Sequence, residues 1–462
     1  MLEGARAGVQ ITRFQDGPTP ITGYSTGGTG PVVVIAHGFA GSRQMMQGYA
    51  LPLAQAGYRV YAFDFEGHGR HDIPMSGDVN SLDGTTRLLV AQTRSVIQTV
   101  GDGGPVALLG HSMATDILVR TAAETERIGP LVLISAFSLA IDALHPRSVA
   151  LITGAWEPGL KDFALEAARM VDPSAQPGQT VHDGAILRRA VIAPLADHVS
   201  ILQSRAARAE AVDWLNGHYG RDLRPAIPPT GWALMALLAA ITALAAPLAR
   251  ALPARPATAS RLPPRGLAAL TLGPMLAAPL LAAPVDTRFL PVLVADYLAL
   301  HLAVYGLLQL LILSRLKPRL PRPAPLATLA LLVWALAVFG LALDRYGANF
   351  LPNLPRLWII AALALGALPF MLADAWACHG APLWQRIALR LALLVSLGIA
   401  VALDFEGLFF LLMIAPVIVL FFLTFGLMGR AFSARHGPAT AGLALGLVLA
   451  WALGVSFPLF AA

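Results

Sequence analysis

One serine in the N-terminal half lies in a pattern that could make its hydroxyl group a nucleophile. The apolar run 106–109 predicts a buried strand, Gly110-His111-Ser112 follows it directly, and a helix-compatible segment begins at Ala114. A strand that turns into a helix within one residue exposes the serine hydroxyl at the end of a parallel sheet. Gly110 and Ala114 are small enough for this close approach, although Ala114 replaces the second glycine of G-x-S-x-G. We therefore predict that Ser112 is a nucleophile; the alternative interpretation is an ordinary Gly-Ser turn.

The segments around Ser112 alternate between strand patterns and helix patterns. Strands are predicted at 31–36, 59–63, 106–109, 131–135, 149–153 and 189–194, with edge strands at 9–14 and 21–24. Helices are predicted up to about Ala56, over 82–100, after Ser112, and over 199–217. This alternation predicts an α/β domain with a mostly parallel sheet, and right-handed crossovers would bring its strand ends to one edge.

Three short motifs follow strands of this predicted sheet. They are His37-Gly38-Phe39-Ala40-Gly41, Asp64-Phe65-Glu66-Gly67-His68-Gly69 and Gly110-His111-Ser112-Met113-Ala114. On these motifs, about residues 8–218 resemble the α/β-hydrolase superfamily of serine esterases, lipases and peptidases. The resemblance implies a doubly wound, mostly parallel sheet and a catalytic triad in the chain order serine, acid, histidine.

The resemblance places the catalytic base just after the last strand of the sheet. The histidines between Ser112 and the apolar half are His145, His182, His198 and His218. Only His198 closely follows a strong strand pattern, at 189–194. His145 and His182 lie in polar turn sequence, and His218 lies at a helix end, where a cation is favoured. We therefore predict that His198 is the base.

The acid that orients the base has two candidates. Glu157 follows the predicted strand 149–153 with the spacing of strand, glycine, two residues, acid that is typical of the family. Asp142, which follows the preceding strand, is the alternative. Asp197 is adjacent to His198, and its side chain is expected to point away from the ring. The predicted triad is therefore Ser112, Glu157 and His198.

The resemblance also assigns the donors that would stabilise a tetrahedral oxyanion, namely the backbone N–H groups of Phe39 and Met113. His37 and Gly38 precede Phe39 in a glycine-rich turn, where backbone N–H groups can face a ligand. Asp64 is expected to have a structural role and to hold the glycine-rich turn that follows it.

A metal site is the other chemistry that the histidines of this half could support. His37, His68, His71 and His111 follow different strands, and they lack H-x₃-H or C-x₂-C spacing. We therefore expect no metal ligand set. The chain also lacks a glycine-rich phosphate loop and a nucleotide motif, so we expect no cofactor.

The predicted strands at 131–135 and 149–153 are separated by only about a dozen residues. Many members of the family insert a helical lid at this point. We therefore expect a domain without a lid insertion, whose acyl pocket is open or is covered by something outside the domain.

The composition divides the chain into two parts. The chain has 462 residues, of which 56% are hydrophobic and 13% are charged, but residues 1–225 have an ordinary soluble composition. We predict an α/β-hydrolase domain at 1–225 and an all-α, multi-pass transmembrane domain at 226–462. The net charge of +6 does not indicate nucleic acid, because the arginines lie between apolar runs. The single cysteine, Cys378, excludes an intramolecular disulfide.

The C-terminal part consists of apolar runs that are long enough to cross a membrane. We predict eight spans, at about 231–250, 266–284, 289–314, 326–344, 356–377, 387–404, 407–428 and 438–460. The chain is therefore expected to be an integral membrane protein of a plasma or bacterial inner membrane, in contact with membrane lipids.

Charges between the runs alternate in sign. The basic residues are Arg250, Arg255, Arg261, Arg265, Arg315, Lys317, Arg319, Arg322, Arg386, Arg390, Arg430 and Arg435, and the acidic residues of the intervening links are Asp286, Asp344, Asp404 and Glu406. Because basic links stay cytoplasmic, we expect the N-terminal domain on the external, periplasmic side. Met1–Gly8 has no apolar core, so no signal peptide is predicted. This conflicts with an external domain, because a folded domain of this size does not cross a membrane unaided: either an anchor helix precedes Met1, or the first run does not span and the domain is cytoplasmic.

Ionisable residues inside the predicted spans are candidates for function. Asp296 and His301 lie within the third run, and Asp374 and His379 lie near the end of the fifth. A hydrogen bond between helices is the alternative explanation for each pair. On the charge-based topology, Asp296, Asp344, Asp404 and Glu406 lie towards the hydrolase side. We hypothesise that this face supplies the missing lid.

Together these patterns predict a membrane-anchored serine hydrolase that cleaves a lipid or other acyl ester through an acyl-enzyme on Ser112. The same triad would support acyl transfer to an acceptor other than water. The alternative from another class is a transporter-like membrane protein with a regulatory hydrolase domain. No nucleic-acid partner is expected.

Overall fold

The computed structural model describes residues 1–78, 82–255, 262–285, 287, 290–292, 294–317 and 319–461. Arg261 and Asp286 lie outside the described residues. The chain forms two compact units. Unit 1 contains Met1–Met235, Asp344–Asn349 and Pro458–Ala461, and unit 2 contains Ala236–Leu343 and Phe350–Phe457. The domain boundary at 225/226 stays a prediction.

The described residues of unit 1 form a nine-stranded sheet in the order β1-β2-β4-β3-β5-β6-β7-β9-β8. The strands are β1 (Gln10–Asp16), β2 (Thr19–Ser25), β3 (Val32–Ala36), β4 (Arg59–Phe63), β5 (Val106–His111), β6 (Ile128–Ile134), β7 (Ser148–Gly154), β8 (Thr180–Asp183) and β9 (Ile186–Ala193). All pairs from β4 to β9 across the centre are parallel, while β1–β2, β2–β4 and β8–β9 are antiparallel. The predicted mostly parallel sheet is confirmed.

The central strands are buried because helices cover both faces of a doubly wound sheet. Every residue of β3 and β5 is buried, as continuous apolar runs predict. The helices of unit 1 are α1 (Leu2–Arg6), α2 (Gln47–Gln55), α3 (Arg87–Val100), α4 (Met113–Glu124), α5 (Pro158–Arg169) and α6 (Arg205–Tyr219), with a π turn at Leu82–Thr86 and a 3₁₀ turn at Ser200–Gln203. The carboxyl ends of the parallel strands therefore meet at one edge of the sheet.

Three elements differ from the sequence prediction. The helix predicted over 199–217 is interrupted at Ser204, whose Oγ accepts a hydrogen bond from the N–H of Ala207 at 3.3 Å and so begins α6. Helix α5 was not predicted, since its buried side chains are all alanines and give little apolar periodicity. Strand β8 was not predicted because only one of its four residues is buried.

Within the described residues, eight helices are long and apolar enough to cross a membrane, as predicted. Unit 2 is built from α7 (Thr230–Ala251), α8 (Pro264–Ala282), α9 (Ala295–Leu316), α10 (Pro325–Val333), α11 (Gly340–Tyr346), α12 (Leu354–Cys378), α13 (Leu383–Leu403), α14 (Phe405–Leu408), α15 (Leu411–His436) and α16 (Pro438–Ser456). Helices α10 and α11 are joined by a π turn and form one span, Pro325–Tyr346. These helices indicate a multi-pass membrane protein. The first residues of α7 and the last residues of α11 belong to unit 1. The side of the membrane that unit 1 faces stays a prediction.

The last span is shorter than predicted. Helix α16 ends at Ser456, whereas the apolar pattern extends to 460. Residues Pro458–Ala461 belong to unit 1, where they pair with another extended segment. The prediction failed because an apolar residue that packs against a soluble domain has the same sequence signal as one in a span.

Glycines allow α9 and α12 to pack at very close range. A Cβ atom on Gly306 would lie 2.3 Å from the backbone nitrogen of Phe370, and one on Gly366 would lie 2.0 Å from the carbonyl oxygen of Ala299. Small residues at such crossings let helix backbones approach, which is a main source of helix association in membranes. The two helices could not keep this separation with larger side chains at these positions.

We expect Gly366→Ala to destabilise unit 2, because the added methyl group must push the α9 backbone away. An overpacking cost of about 1–3 kcal/mol would lower the apparent melting temperature in detergent micelles by several degrees. Gly398→Ala is the matched control, since a Cβ atom there would meet nothing within 4 Å. Equal melting temperatures for the two variants would contradict the proposed close packing.

Candidate active site

Ser112 occupies a sharp turn between β5 and α4. Its backbone has φ 54° and ψ −120°, a conformation that costs about 1–3 kcal/mol for a residue other than glycine. Its N–H donates to the carbonyl of Ile134 at 2.9 Å, which ties the turn to the neighbouring strand β6. A Cβ atom on Gly110 would lie 3.2 Å from the Cβ of Ala114. The strand–turn–helix arrangement predicted around Ser112 is therefore present.

The glycine-rich loop after β3 lies against the same serine. A Cβ atom on Gly38 would lie 2.9 Å from the Cβ of Ser112, so no larger residue fits there without movement. The loop turns back on itself through a hydrogen bond from the N–H of Gly41 to the carbonyl of Gly38 at 3.0 Å. Phe39 follows Gly38 in this loop, and Met113 follows Ser112 at the start of α4.

The side chains of Ser112, His198 and Glu157 form one hydrogen-bonded chain. His198 Nε2 lies 2.8 Å from Ser112 Oγ, and His198 Nδ1 lies 2.6 Å from Glu157 Oε1. All three residues follow strands whose carboxyl ends meet at one edge of the sheet. With a proton on Nδ1, Nε2 is free to accept the serine hydrogen.

Asp142, which is the alternative acid, and Asp197, which is adjacent to His198, both accept hydrogen bonds from other groups. Asp142 has an exposed side chain, and its Oδ1 accepts hydrogen bonds from the N–H groups of Leu144 and His145 at 2.7 and 2.8 Å. Asp197 accepts hydrogen bonds from Ser200, including one from its N–H at 2.7 Å. Both carboxylates therefore stabilise their own turns.

Glu157 is buried and receives donors on both oxygens. Its Oε2 accepts hydrogen bonds from Ser135 Oγ at 2.7 Å and from the N–H of Gly154 at 2.8 Å. Burial acts to raise the pKa of Glu157, but the hydrogen bonds from His198, Ser135 and Gly154 outweigh it, and the pKa lies below its ordinary value. The carboxylate is therefore charged at neutral pH and can stabilise an imidazolium.

His111 makes a hydrogen bond to the backbone of His198. Its Nε2 lies 2.7 Å from the carbonyl oxygen of His198, and the two ring centroids are 5.0 Å apart. Burial, assisted by the positive charge that His198 can carry, lowers the pKa of His111 to about 4. The ring is therefore neutral at pH 7, and its Nε2–H donates to the carbonyl group.

His37 and Asp64 join the loops that follow β3 and β4. His37 Nδ1 lies 2.8 Å from the carbonyl oxygen of Gly38, and His37 Nε2 accepts from the N–H of Phe65 at 3.1 Å. Asp64 is fully buried and accepts from the N–H groups of Arg43 and Arg70 at 2.7 and 3.0 Å, and from the Arg43 guanidinium group. These contacts fix the shape of both loops.

The C-terminal segment of unit 1 covers part of these loops. Residues Pro458–Ala461 pair with the segment after β4: the N–H of Leu459 donates to Gly67, the N–H of Met75 to Leu459, and the N–H of Ala461 to Met75, at 2.7–2.8 Å. The ring of Phe460 is buried, and its centroid lies 6.2 Å from that of Phe39. Phe460 thus packs against the loop that carries the predicted oxyanion donor.

The segment Asp344–Asn349 contacts the same two loops. Both carboxylate oxygens of Asp344 accept from the guanidinium group of Arg70 at 2.6 Å, and Asn349 Oδ1 accepts from Arg70 Nε at 3.0 Å. The N–H of Asn349 donates to Ser42 Oγ at 3.1 Å. This segment therefore connects the loop after β4 to the loop after β3.

The edge of the sheet around Ser112 carries no helical lid. Strand β6 ends at Ile134 and β7 begins at Ser148; all residues between them are described, and none is helical. Large apolar side chains are exposed in the loops at this edge, namely Phe137, Leu139, Trp156, Leu195 and Val199, which are 55–82% exposed. The absence of a lid insertion is as predicted.

The candidate residues inside the spans make hydrogen bonds within unit 2. His301 is buried between Tyr297, whose hydroxyl lies 3.1 Å from its Nδ1, and Ser396, whose Oγ lies 3.0 Å from its Nε2. Asp296 accepts from the N–H of Leu290 at 2.7 Å. For His301, these contacts match the alternative of a hydrogen bond between helices.

The profile of a protein family described as serine aminopeptidase, S33, matches residues 27–179. The N-terminal domain is α/β-hydrolase-like. The family match includes Ser112 and Glu157 of the hydrolase-like domain and ends before His198. It supports hydrolase activity in this chain.

Solved structures match less than half of this chain at low sequence identity. A CIB-like hydrolase from Thermoplasma acidophilum is 15% identical, over 45% of this chain and 98% of its own, with a TM-score of 0.36. A membrane phospholipase A is 17% identical over 47% and 89% (TM-score 0.35), and an epoxide hydrolase from Vigna radiata is 14% identical over 46% and 98% (TM-score 0.33). A search of curated proteins finds no match.

Sequence reasoning gave no role in the site to Ser135, His111 or Phe460. Ser135 and His111 lie at the ends of β6 and β5, so the rule that functional side chains gather at strand ends could have identified both. Phe460 lies in the apolar half, and no local pattern links it to the loops of the hydrolase-like domain. For Asp344 the charge pattern indicated the hydrolase side, but only the tertiary structure shows its contact with Arg70.

His111 gives the hydrolase-like domain a pH-dependent stability. Its pKa is about 4 in the folded chain and about 6.5 when unfolded, so between these pH values only the unfolded chain is protonated. Lowering the pH from 6.5 to 4 should therefore reduce the free energy of unfolding by up to about 3 kcal/mol through this one group.

We expect His111→Gln to remove this contribution while keeping an amide donor for the carbonyl of His198. Thermal unfolding in detergent, measured from pH 7 to 4, should show a smaller loss of melting temperature for this variant than for the wild type. His145→Gln is the control, because His145 is exposed. The assignment is wrong if both variants follow the wild-type pH profile.

Proposed function

We propose that this chain is a membrane-anchored serine hydrolase that cleaves carboxylic esters through Ser112, His198 and Glu157. The observation that supports the proposal is the hydrogen-bonded chain from Ser112 Oγ through the His198 ring to Glu157. It lies on a strained strand–helix turn at an open edge of the sheet, where a substrate carbonyl can approach the serine. The eight apolar helices would anchor the enzyme at the membrane.

In the proposed mechanism, Ser112 Oγ attacks the ester carbonyl carbon while its proton passes to His198 Nε2. The carbonyl oxygen becomes an oxyanion, which the N–H groups of Phe39 and Met113 would stabilise by about 3 kcal/mol each. Collapse of the tetrahedral intermediate breaks the carbon–oxygen ester bond, and His198 gives its proton to the leaving alcohol. Water then repeats the sequence on the acyl-enzyme and releases the carboxylic acid.

Glu157 acts on His198 rather than on the substrate. Its charge stabilises the imidazolium that forms during attack, and its position requires the Nδ1–H tautomer. Ser135 and Gly154 occupy the second oxygen, so the carboxylate cannot rotate away without losing two hydrogen bonds. His111 restrains the same histidine through its backbone.

The substrate class is an ester with an apolar acyl group. The exposed side chains of Phe137, Leu139, Trp156, Leu195 and Val199 lie in the loops after β6, β7 and β9, at the edge of the sheet where Ser112 lies. Large apolar side chains left exposed around one site support a surface that binds an apolar group. An acyl chain or a lipid surface would cover it.

Phe460 packs against Phe39, whose N–H group is the proposed oxyanion donor. Its ring is 2% exposed, and the backbone pairing of Leu459 and Ala461 with the segment around Met75 holds it in place. We infer that the C-terminal segment takes over part of the role that a helical lid has in α/β-hydrolases that carry one.

Ser112→Ala should abolish labelling by a fluorophosphonate probe and hydrolysis of 4-nitrophenyl octanoate. Glu157→Gln should lower kcat by about 10⁴, because the amide would favour the wrong tautomer of His198. Asp142→Asn is the matched control and should keep nearly full activity, since Asp142 is exposed and serves its own turn. Near-normal turnover by Glu157→Gln, together with a large loss in Asp142→Asn, would reverse the assignment.

Phe460→Ala should lower kcat/KM for the octanoate ester about threefold to tenfold, as expected for losing an aromatic contact of about 0.5–1.5 kcal/mol. Phe460→Leu should restore part of this loss. Phe14→Ala, on the edge strand β1, is the control and should leave kcat/KM unchanged. An unaltered kcat/KM in Phe460→Ala would show that the C-terminal segment has no part in the site.

A further inference from the structure

Unit 2 contains a cavity of about 660 Å³ between α12, α13, α15 and α16. Four basic side chains line it, namely His379, Arg386, Arg390 and Arg430, and Asp374 is the one acidic side chain in the lining. The cavity therefore has an excess of positive charge inside a bundle of apolar helices.

The only carboxylate of the lining is already paired. Asp374 is buried and accepts hydrogen bonds from Arg390 Nε and Nη2 at 3.2 and 3.1 Å, and the Arg390 guanidinium group also lies 4.1 Å from the ring centroid of Phe422. Among the residues that the structure describes, no carboxylate forms an ion pair with Arg386 or Arg430. Arg386 Nε is buried without a hydrogen-bond partner there. An unpaired charge in a membrane span is costly, so an anion would stabilise the partly buried Arg386; Arg430, which also lines the cavity, is exposed and could contact the same anion.

The two arginines lie at the same end of the helices. Arg386 is near the beginning of α13 and Arg430 is near the end of α15, and α12 ends beside them at Cys378. At about 1.5 Å per residue, both are within about 10 Å of a helix end. If each helix is centred in a hydrocarbon core about 30 Å thick, both Cα atoms lie about 10 Å from the midplane, and the long arginine side chains can reach from there to the level of the lipid headgroups.

The remaining walls of the cavity are apolar and open outwards. Ile387, Leu391, Val419 and Leu423 line it and are 42–59% exposed. On a membrane span, exposed apolar side chains of this kind face the acyl chains of lipids. The cavity therefore combines a cationic end at headgroup depth with walls that continue into the lipid phase.

We propose that this cavity binds an anionic phospholipid. Its phosphate would lie between Arg386 and Arg430, and an acyl chain would lie along Leu391, Val419 and Leu423. A free phosphate ion would satisfy the arginines but would leave the apolar walls uncovered, whereas a neutral lipid would cover the walls and leave the arginines unpaired. Guanidinium groups match phosphate oxygens in charge and in geometry, and basic pockets between membrane helices recognise lipid headgroups in this way. The inference is independent of the chemistry at Ser112.

The test compares phosphatidylglycerol with phosphatidylcholine of the same acyl chains, bound to the full chain in detergent and counted by native mass spectrometry. The wild type should retain phosphatidylglycerol at least about tenfold more tightly than phosphatidylcholine. The double variant Arg386→Gln/Arg430→Gln should lose most of this preference. Arg315→Gln/Arg319→Gln is the matched control, since both arginines are exposed, flank a span and lie outside the cavity, and it should bind as the wild type does.

A third variant separates charge from structure. Arg386→Lys/Arg430→Lys keeps both positive charges and should retain a clear preference for phosphatidylglycerol. Equal losses in the lysine and glutamine variants would overturn the proposal, as would equal binding of the two lipids by the wild type. Inorganic phosphate should not raise the melting temperature of the wild type as phosphatidylglycerol does; an equal shift would identify a site for the free anion instead.

Discussion

The hydrogen bonds of His198 are the interactions on which the candidate site depends. The imidazole group lies between the Ser112 hydroxyl and the Glu157 carboxylate, and the backbone of the same residue is held by His111. In the proposed mechanism, the ring must exchange one proton on Nε2 while Nδ1 stays protonated. A charged Glu157 and a neutral His111 provide this arrangement, because one accepts from the ring and the other donates to the carbonyl.

The loops around this histidine are held by segments from distant parts of the chain. Asp64 joins the loops after β3 and β4 from inside, while Asp344–Asn349 and Pro458–Ala461 hold them from outside. Unit 1 is therefore discontinuous in sequence, since two segments from beyond the first spans complete it. This explains how a domain without a lid insertion can still cover part of the surface beside Phe39.

Local patterns identified most of the elements but not all of their partners. The continuous apolar runs of β3 and β5, and the eight long apolar helices, produce strong signals, and these predictions are confirmed. Helix α5 and strand β8 bury too few large apolar residues to produce one. The sequence prediction extended α16 too far, because the apolar residue Phe460 packs within unit 1 and does not continue the helix. A hydropathy pattern predicts that a residue avoids water, but it does not predict whether lipid or protein covers that residue.

The sequence by itself predicted the α/β class, eight long apolar helices and a strand before Ser112, because each follows from periodicity over neighbouring residues, while the place of His198 after the last strand came from the resemblance to the α/β-hydrolase superfamily. Only the tertiary structure shows that Glu157 reaches the His198 ring while Asp142 accepts hydrogen bonds from its own turn, although both follow strands. It also decided which arginines of unit 2 are paired with a carboxylate. Such choices depend on distances between residues far apart in the chain, and a pattern of residue types carries no distances.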